Sequence, residues 1–386
     1  MDLTLARARL DGSDALFQLA ITDGRIAAIA ADERVAAGAL DLDGRLLVPA
    51  FVEGHIHLDK TLLGLPWQPH RPGESVAARI EAEKQQFAAT ALSVAERARI
   101  LALQVLAHGS TRLRCHVDID PQKGLSHLHQ VLQTAEALRE RLEIQLVAFP
   151  QSGILAAPGT ADLLHAAMRE GAAVVGGLDP AGIDGDVEAH LEVVFACAER
   201  HGGLIDIHLH EPGALGTFTL RRIAARTKAA GLQGRCVVSH AYALGSTDAE
   251  DFAATADALA ESGVAIMTNG PGDAPMPPVA ALAARGVLVF AGSDNIRDSW
   301  SPYGNGDMLE RAGLIGYRAG LATDESLRFL FGMATTAPAR AMGLEPGAVA
   351  VGAQADLVAL QATHVPEAVA TRPGGRWVFR GGTRVA

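Results

Sequence analysis

Residues 47–59 read LVPAFVEGHIHLD, an apolar run that closes on His55-Ile56-His57. In an extended strand, side chains two positions apart point the same way, so both imidazoles can address one metal while Ile56 faces elsewhere. Taken alone, the same spelling equally suits capping, packing or a surface position. What decides the fold is that the pattern recurs. Seven more apolar strand candidates follow: RLRCHVDI (112–119), IQLVAFP (144–150), AAVVGG (172–177), LIDIHLH (204–210), RCVVSH (235–240), GVAIMTN (263–269) and VLVFAGSD (287–294). Between them lie Ala-rich and charged stretches with helical periodicity, such as VEAHLEVVFACAERHG (187–202) and TDAEDFAATADALAESG (247–263). The alternation predicts an α/β fold of eight βα units, a (β/α)8 TIM-type barrel. Polar residues recur where the apolar part of each strand ends, which fits the C-terminal rim of such a barrel. A dinucleotide-binding open sheet is the structural alternative, but no GxGxxG follows the first strand.

Outside this region the pattern changes. LTLARARL, ALFQLAITD and RIAAIA near the start, and AVGAQADLVAL and GRWVFRGGTRVA near the end, read as short strands separated by Asp-Gly or charged turns. Neither end is long enough for a good core, so the economical reading is one small β-sandwich domain formed from both. The expected division is 1–50 plus 343–386 for this accessory domain and 51–342 for the barrel.

Composition limits the partners. The 386 residues are 49% hydrophobic and 20% charged, and no apolar run approaches the ~18 residues of a membrane span. The N-terminus, MDLTLARARLDGSD, has neither the basic start nor the apolar middle of a secretory signal, so cytoplasmic residence is expected. A net charge of −11 without a basic-aromatic cluster argues against nucleic acid and anionic membrane. Cys115, Cys197 and Cys236 are too few and too scattered for a disulfide framework or thiolate cluster. A homo-oligomer is compatible with a barrel exterior, but an unaligned sequence does not show which faces would join.

The strand ends carry the chemistry. LIDIHLHE puts His208 and His210 on one extended face with Glu211 beside them, RCVVSHA adds His240, and VLVFAGSDN supplies Asp294. Separate barrel strands bring such groups into one mouth without any short spacing in sequence. With VPAFVEGHIHLDK (48–60), RCHVDI (114–119), AFPQSGI (148–154), LIDIHLHE (204–211), VVSHA (237–241) and AGSDNIRDSW (291–300), the chain resembles the cytosine deaminase branch of the amidohydrolase superfamily across nearly its full length. GLEPGAVAVGAQADLVAL (343–360) is similar to that superfamily's strand-rich accessory domain.

The resemblance implies that His55, His57, His208 and Asp294 ligate one divalent transition metal, Zn or Fe. The fourth strand candidate, AAVVGGLDP, has no Lys to match the modified bridging lysine of binuclear relatives. Asp294 could also take a proton from a water polarised by the metal, while His240 orients that water and supports negative charge as the intermediate develops. Glu211 matches the family's proton shuttle; the bland alternative is a loop carboxylate or one that orients His208. His210 is expected in a supporting or substrate-contact role. His116 and Asp118 share an extended face and could form a hydrogen-bonded support, and Asp179 could reach substrate or brace its Pro-rich turn. Lys60 either pairs with Asp59 or projects toward an anionic or carbonyl-bearing substrate.

For the substrate, Gln151 matches the residue that reads the amide edge of a pyrimidine, and Trp300 matches an aromatic beside the ring. Asn295 departs from the family: members dedicated to cytosine commonly have a second Asp after the metal-binding one, whereas this chain reads Ser293-Asp294-Asn295. The amide removes a charge and adds donors, which favours a carbonyl or a substituted position. The expected partner is therefore a small polar nitrogen heterocycle, cytosine or a related amino-substituted ring, deaminated by attack of metal-activated water. The same machinery could open a cyclic amide or ureide, or remove a substituted amine from a triazine-like ring. A non-catalytic metal-stabilised binding module would leave the proton carriers unexplained.

Overall fold

The computed structural model describes residues 3–70, 73, 75–87 and 90–386. Eight strands, Phe51–Ile56, Ser110–Asp118, Glu143–Phe149, Val174–Leu178, Leu204–Leu209, Cys236–His240, Ala265–Thr268 and Val289–Ala291, pair parallel in chain order. The first and eighth then meet: the Asp294 N–H donates to the His55 carbonyl at 2.8 Å, and Ile56 bridges Asp294. This closes the (β/α)8 barrel. The seam is tight, because a Cβ on Gly292 would stand 2.5 Å from that of His55 and one on Gly54 would stand 2.6 Å from the Phe290 ring. Glycine at both positions allows the close backbone approach.

The strands Val174–Leu178, Leu204–Leu209 and Cys236–His240 are almost wholly buried, as expected of parallel strands covered by helices. The helices follow the sequence periodicity. Val187–His201 starts where the Asp186 carboxylate accepts from the Ala189 N–H at 3.0 Å and stops at Gly202, whose φ of 64° ends it in a left-handed turn. It buries Leu191, Val194, Phe195 and Ala198 against the barrel.

The chain ends form the second sheet. Leu46–Pro49 pairs antiparallel with Leu357–Leu360, joining Leu3–Arg9, Leu16–Thr22 and Arg25–Ala31 to Trp377–Arg380 and Thr383–Arg384. With the short Leu40–Asp41 beside Leu3–Arg9, all eight of its strands belong to one hydrogen-bonded sheet, whose far edge returns through the Ile26 N–H to the Ala353 carbonyl at 2.9 Å. Strand alternation divides its faces: Leu47, Leu357 and Ala359 join Leu5, Leu19 and Phe379 in a small core, while Leu46, Val48, Val358 and Leu360 turn into the barrel's core. The helix Val365–Thr371 also sends Val365, Ala368 and Val369 into the barrel's core.

Among the described residues, no helix is long and apolar enough to cross a membrane.

Candidate metal centre and substrate pocket

His55, His57, His208 and Asp294 each place one ligand atom so that all four lie within 4.8 Å of one another. His55 Nε2 and His57 Nε2 stand 3.5 and 3.3 Å from Asp294 Oδ1. The strand period accounts for the pair: His55 and His57 share a face while Ile56 enters the hydrophobic core. The donors fit a divalent transition metal on the chemistry of the site. His55 Nε2 and both nitrogens of His208 are buried without a hydrogen-bond partner, which is costly unless something accepts their lone pairs. Burial holds the pKa of His57, His208 and His240 below the ordinary imidazole value, so these rings favour the neutral form that binds metal.

The strand ends here are strained. Asp179, His240 and Asp294 have φ values of 36°, 74° and 61°, left-handed conformations that cost about 1–3 kcal/mol per non-glycine residue.

Several supports escape the sequence reading. The His55 Nδ1 meets Ser239 Oγ at 2.9 Å, Ser239 donates to Asp206 Oδ1 at 2.7 Å, and Arg114 donates to Asp206 Oδ2 at 2.9 Å. Asp206 and Ser239 are visible as polar residues inside the apolar strands LIDIHLH and RCVVSH, on the faces opposite to those of Ile207 and Val238. Glu53, the buried carboxylate in FVEGHIH, accepts from the His55 N–H at 3.2 Å and the Ser293 N–H at 2.8 Å, clamping the barrel seam. Asn269, ending the seventh strand candidate, donates to Asp294 Oδ2 at 2.9 Å. His116 stacks on His55, ring centres 3.8 Å apart; neither of its nitrogens is hydrogen-bonded, and its Nε2 stands 3.7 Å from Asp206 Oδ2.

Around the rim, His210 Nδ1 bonds Asp179 Oδ2 at 2.8 Å, and its backbone N–H donates to Asp179 Oδ1 at 2.6 Å. This joins two residues that the sequence placed on separate loops. His210 also stacks on His240 with ring centres 4.5 Å apart, and His240 lies 5.1 Å from the His208 ring. Glu211 is more engaged than a free loop carboxylate. Its Oε1 accepts from the Ala181 and Gly182 N–H groups at 2.7 and 3.0 Å, and its Oε2 accepts from Thr219 Oγ1 at 2.7 Å.

Of the residues expected to face substrate, Lys60 and Gln151 sit in a buried polar cluster with Asp118 and Glu83. Lys60 donates to Gln151 Oε1 at 2.6 Å and stands 3.2 Å from Asp118 Oδ1 and 3.5 Å from Glu83 Oε2. Asp118 thus pairs with Lys60 and with Lys123, at 2.7 Å, while its expected neighbour His116 stacks on His55. Burial opposes the Lys60 charge, but Asp118, Glu83 and Asp59 outweigh it and keep the ammonium protonated. Asp59 itself accepts from the Asp118 N–H at 3.0 Å and bonds His127 at 2.9 Å. Trp300 packs with Phe149, Leu178 and Ile80, and its indole N–H donates to Glu83. The Asn295 amide donates to Asp298 Oδ2 at 2.6 Å, and burial pushes Asp298 up to about 7. Glu83, Lys123 and Asp298 carry no strand-end signal in the sequence.

Comparison with known proteins agrees with this geometry. Residues 38–385 match the Amidohydrolase family. The chain is 32% identical to N-isopropylammelide isopropyl amidohydrolase of Pseudomonas sp. (strain ADP) over 93% of this chain and 91% of that one. It superposes on N-isopropylammelide isopropylaminohydrolase of Burkholderia multivorans with a TM-score of 0.93 and 41% identity, covering 100% and 98% of the two chains. A 5-methylcytosine deaminase of Klebsiella pneumoniae matches with a TM-score of 0.89 and 29% identity, covering 100% and 98%. The chain belongs to the amidohydrolase family, in its cytosine deaminase-like branch.

Proposed function

We propose that the protein is a mononuclear metal-dependent aminohydrolase that displaces an exocyclic amine from a small, oxo-substituted nitrogen heterocycle, with an N-alkylamino triazine as the first substrate to test. The observation that carries this reading is the convergence of His55, His57, His208 and Asp294 within 4.8 Å, with the Phe149 ring 4.2 Å from that of His208 and 5.3 Å from Lys60 Nζ, which holds Gln151. A divalent Zn or Fe ion held by these four residues would supply a polarised water as nucleophile.

The remaining roles fall to the chain's own groups. Asp294 accepts the proton of the attacking water, its other oxygen being steadied by Asn269. His240, neutral and stacked on His210, would support the negative charge that develops on the oxygen added to the attacked carbon. Glu211 carries a proton to the leaving nitrogen through Oε2. The Thr219 hydroxyl has one hydrogen and two acceptors in reach, Glu211 Oε2 at 2.7 Å and the Leu215 carbonyl at 3.0 Å. When Oε2 takes a proton, that hydroxyl can turn to Leu215. Gln151 and the Lys60 ammonium address ring carbonyls, and Trp300 forms an apolar wall.

The triazine preference rests on the extent of the likeness to the two N-isopropylammelide hydrolases and on Asn295 in place of a second carboxylate. Cytosine and 5-methylcytosine are the second reading, supported by the likeness to the Klebsiella enzyme.

The test is turnover of N-isopropylammelide, 5-methylcytosine and cytosine by protein reconstituted with Zn or Fe. Amine, ammonia and product mass are followed together. Isopropylamine release with one bound metal per chain is expected. No turnover of any of the three at full metal loading would overturn the proposal, and full activity without metal would overturn its chemistry.

A further inference from the structure

The helix Val76–Phe87 lies outside the eight-stranded barrel, yet it packs against the residues assigned to the ring. Its Ile80 joins Phe149, Leu178 and Trp300 in one buried apolar cluster, and Arg79 stands 6.0 Å from the Trp300 ring centre. Within this helix Glu83 is a buried carboxylate, 1% exposed. Its Oε2 accepts the Trp300 indole N–H and lies 3.5 Å from Lys60 Nζ, while its Oε1 lies 3.8 Å from Lys123 Nζ. Lys60 in turn holds Gln151 at 2.6 Å.

One carboxylate on an added helix therefore touches one proposed ring contact directly and reaches the other through a lysine. A helix seated only by Ile80 could do so with an apolar residue at position 83, avoiding the desolvation that burial of a carboxylate entails. Burial raises the Glu83 pKa, and Lys60 and Lys123 pull it back toward the charged form. The retained acid instead matches two cations and an indole donor that the helix must find when it packs down.

We propose that Glu83 is a positioning residue for substrate binding: it couples docking of the helix Val76–Phe87 to the placement of Trp300 and of the Lys60–Gln151 pair around the ring. The proposal rests on the function reading above for the identity of the ring. Among the described residues, the hydrogen-bond and ion-pair partners of Glu83 are Trp300, Lys60 and Lys123 and none of the four proposed metal ligands, so its effect belongs to binding and not to the metal step.

The experiment uses the full chain with metal restored, in a Trp67→Phe, Trp377→Phe background that leaves Trp300 as the one fluorophore of the three tryptophans. N-isopropylammelide and 5-methylcytosine are the kinetic probes. For Glu83→Gln, KM should rise about tenfold or more while kcat changes less than about threefold. Metal content should be unchanged, and acrylamide should quench Trp300 more readily. Trp300→Phe keeps an aromatic wall but removes the donor, so it should reproduce part of the KM rise, and the double variant should be less than additive. If Glu83→Gln does not fold, Trp300→Phe still decides the point by its KM. Unchanged KM and quenching in Glu83→Gln, fully additive effects, or a lower kcat at unchanged KM would each overturn the proposal. Should the parent turn over neither probe, the substrate reading fails by itself, and the quenching comparison alone judges whether Glu83 places Trp300.

Discussion

Replacing Ser239 with Ala should weaken metal binding while leaving the barrel nearly as stable, whereas replacing Asp206, one bond further back, should do the reverse in emphasis. Ser239 donates to Asp206 at 2.7 Å, so its oxygen receives the His55 Nδ1 proton at 2.9 Å, and this fixes the tautomer with an open Nε2. Ser239→Ala leaves that buried N–H without an acceptor. The cost of an unsatisfied buried donor is about 1–3 kcal/mol, and loss of such a support typically weakens metal affinity by ~10–100-fold. The two ranges agree, since a tenfold change is about 1.4 kcal/mol. Asp206→Ala instead strips the fully buried Arg114 of its carboxylate. Breaking a buried pair costs about 3–5 kcal/mol. Arg114 keeps Gln145 at 2.9 Å and the Ala341 carbonyl at 3.0 Å, which puts the lower end in force. A loss of about 3 kcal/mol should lower the apo-protein melting temperature of this 386-residue chain by about 4 °C. The assay is zinc titration of chelator-stripped protein against a chromophoric competitor, with calorimetry of the same apo preparations. Zinc affinity of Ser239→Ala within about twofold of the parent would refute the orienting role. Equal apo-state destabilisation by both variants would refute the division of labour.

Glu211→Gln should retain metal, since its amide oxygen can still accept from the Ala181 and Gly182 N–H groups, but should lower kcat by about 10²–10⁴; near-parent turnover at equal metal content would leave Glu211 as a loop anchor. Asn295→Asp should raise the ratio of kcat/KM for cytosine over N-isopropylammelide. It also sets a second carboxylate beside Asp298, whose partner atom is 2.6 Å away and whose pKa is about 7, so the pair shares a proton at neutral pH; an unchanged ratio would remove Asn295 from specificity. Burial pushes Cys197 up to about 11, Cys236 up to about 12 and Cys115 well above its usual value. A raised thiol pKa keeps the inert thiol below it, with a thiolate fraction of roughly one in a thousand or less at pH 8 for the first two. Native protein should therefore resist a disulfide-exchange reagent at pH 8 and titrate three thiols in guanidinium; rapid native labelling would contradict the burial.

The barrel and the gathering of His55, His57, His208, His210 and Asp294 at its rim were legible because both obey short-range rules, while the choice of four of these as metal ligands came from the family resemblance. A strand repeats every two residues, so HIH and HLH declare a shared face, and parallel strands bring their ends to one rim. Asp206 and Ser239 were open to the same rule, as polar residues within strands whose other face was already apolar. The substrate side lacks such a rule. Glu83 meets Lys60 and Trp300 only because a helix between the first two barrel strands folds back over the mouth. Nothing in the spacing of IEAEKQQ announces that packing. Glu211 illustrates a different limit: its place after HLH was readable, but not that Ala181, Gly182 and Thr219 would occupy both its oxygens.

The two halves of the site therefore answer to different parts of the chain. His55, His57, His208 and Asp294 sit at strand ends whose positions are set by barrel closure, where Gly54, Gly292 and Glu53 leave little freedom. Trp300, Asn295 and Glu83 sit on a loop and a helix that the barrel hydrogen bonds do not fix. Substitutions in the second set can reshape the ring pocket while the metal ligands stay in place, whereas changes at the seam disturb both. That asymmetry is a physical reason why the contacts to a ring can vary on this barrel while the proposed metal ligands stay fixed. On the proposed roles, substitutions in the helix Val76–Phe87 and in the residues after Asp294 should change substrate preference before they change metal content.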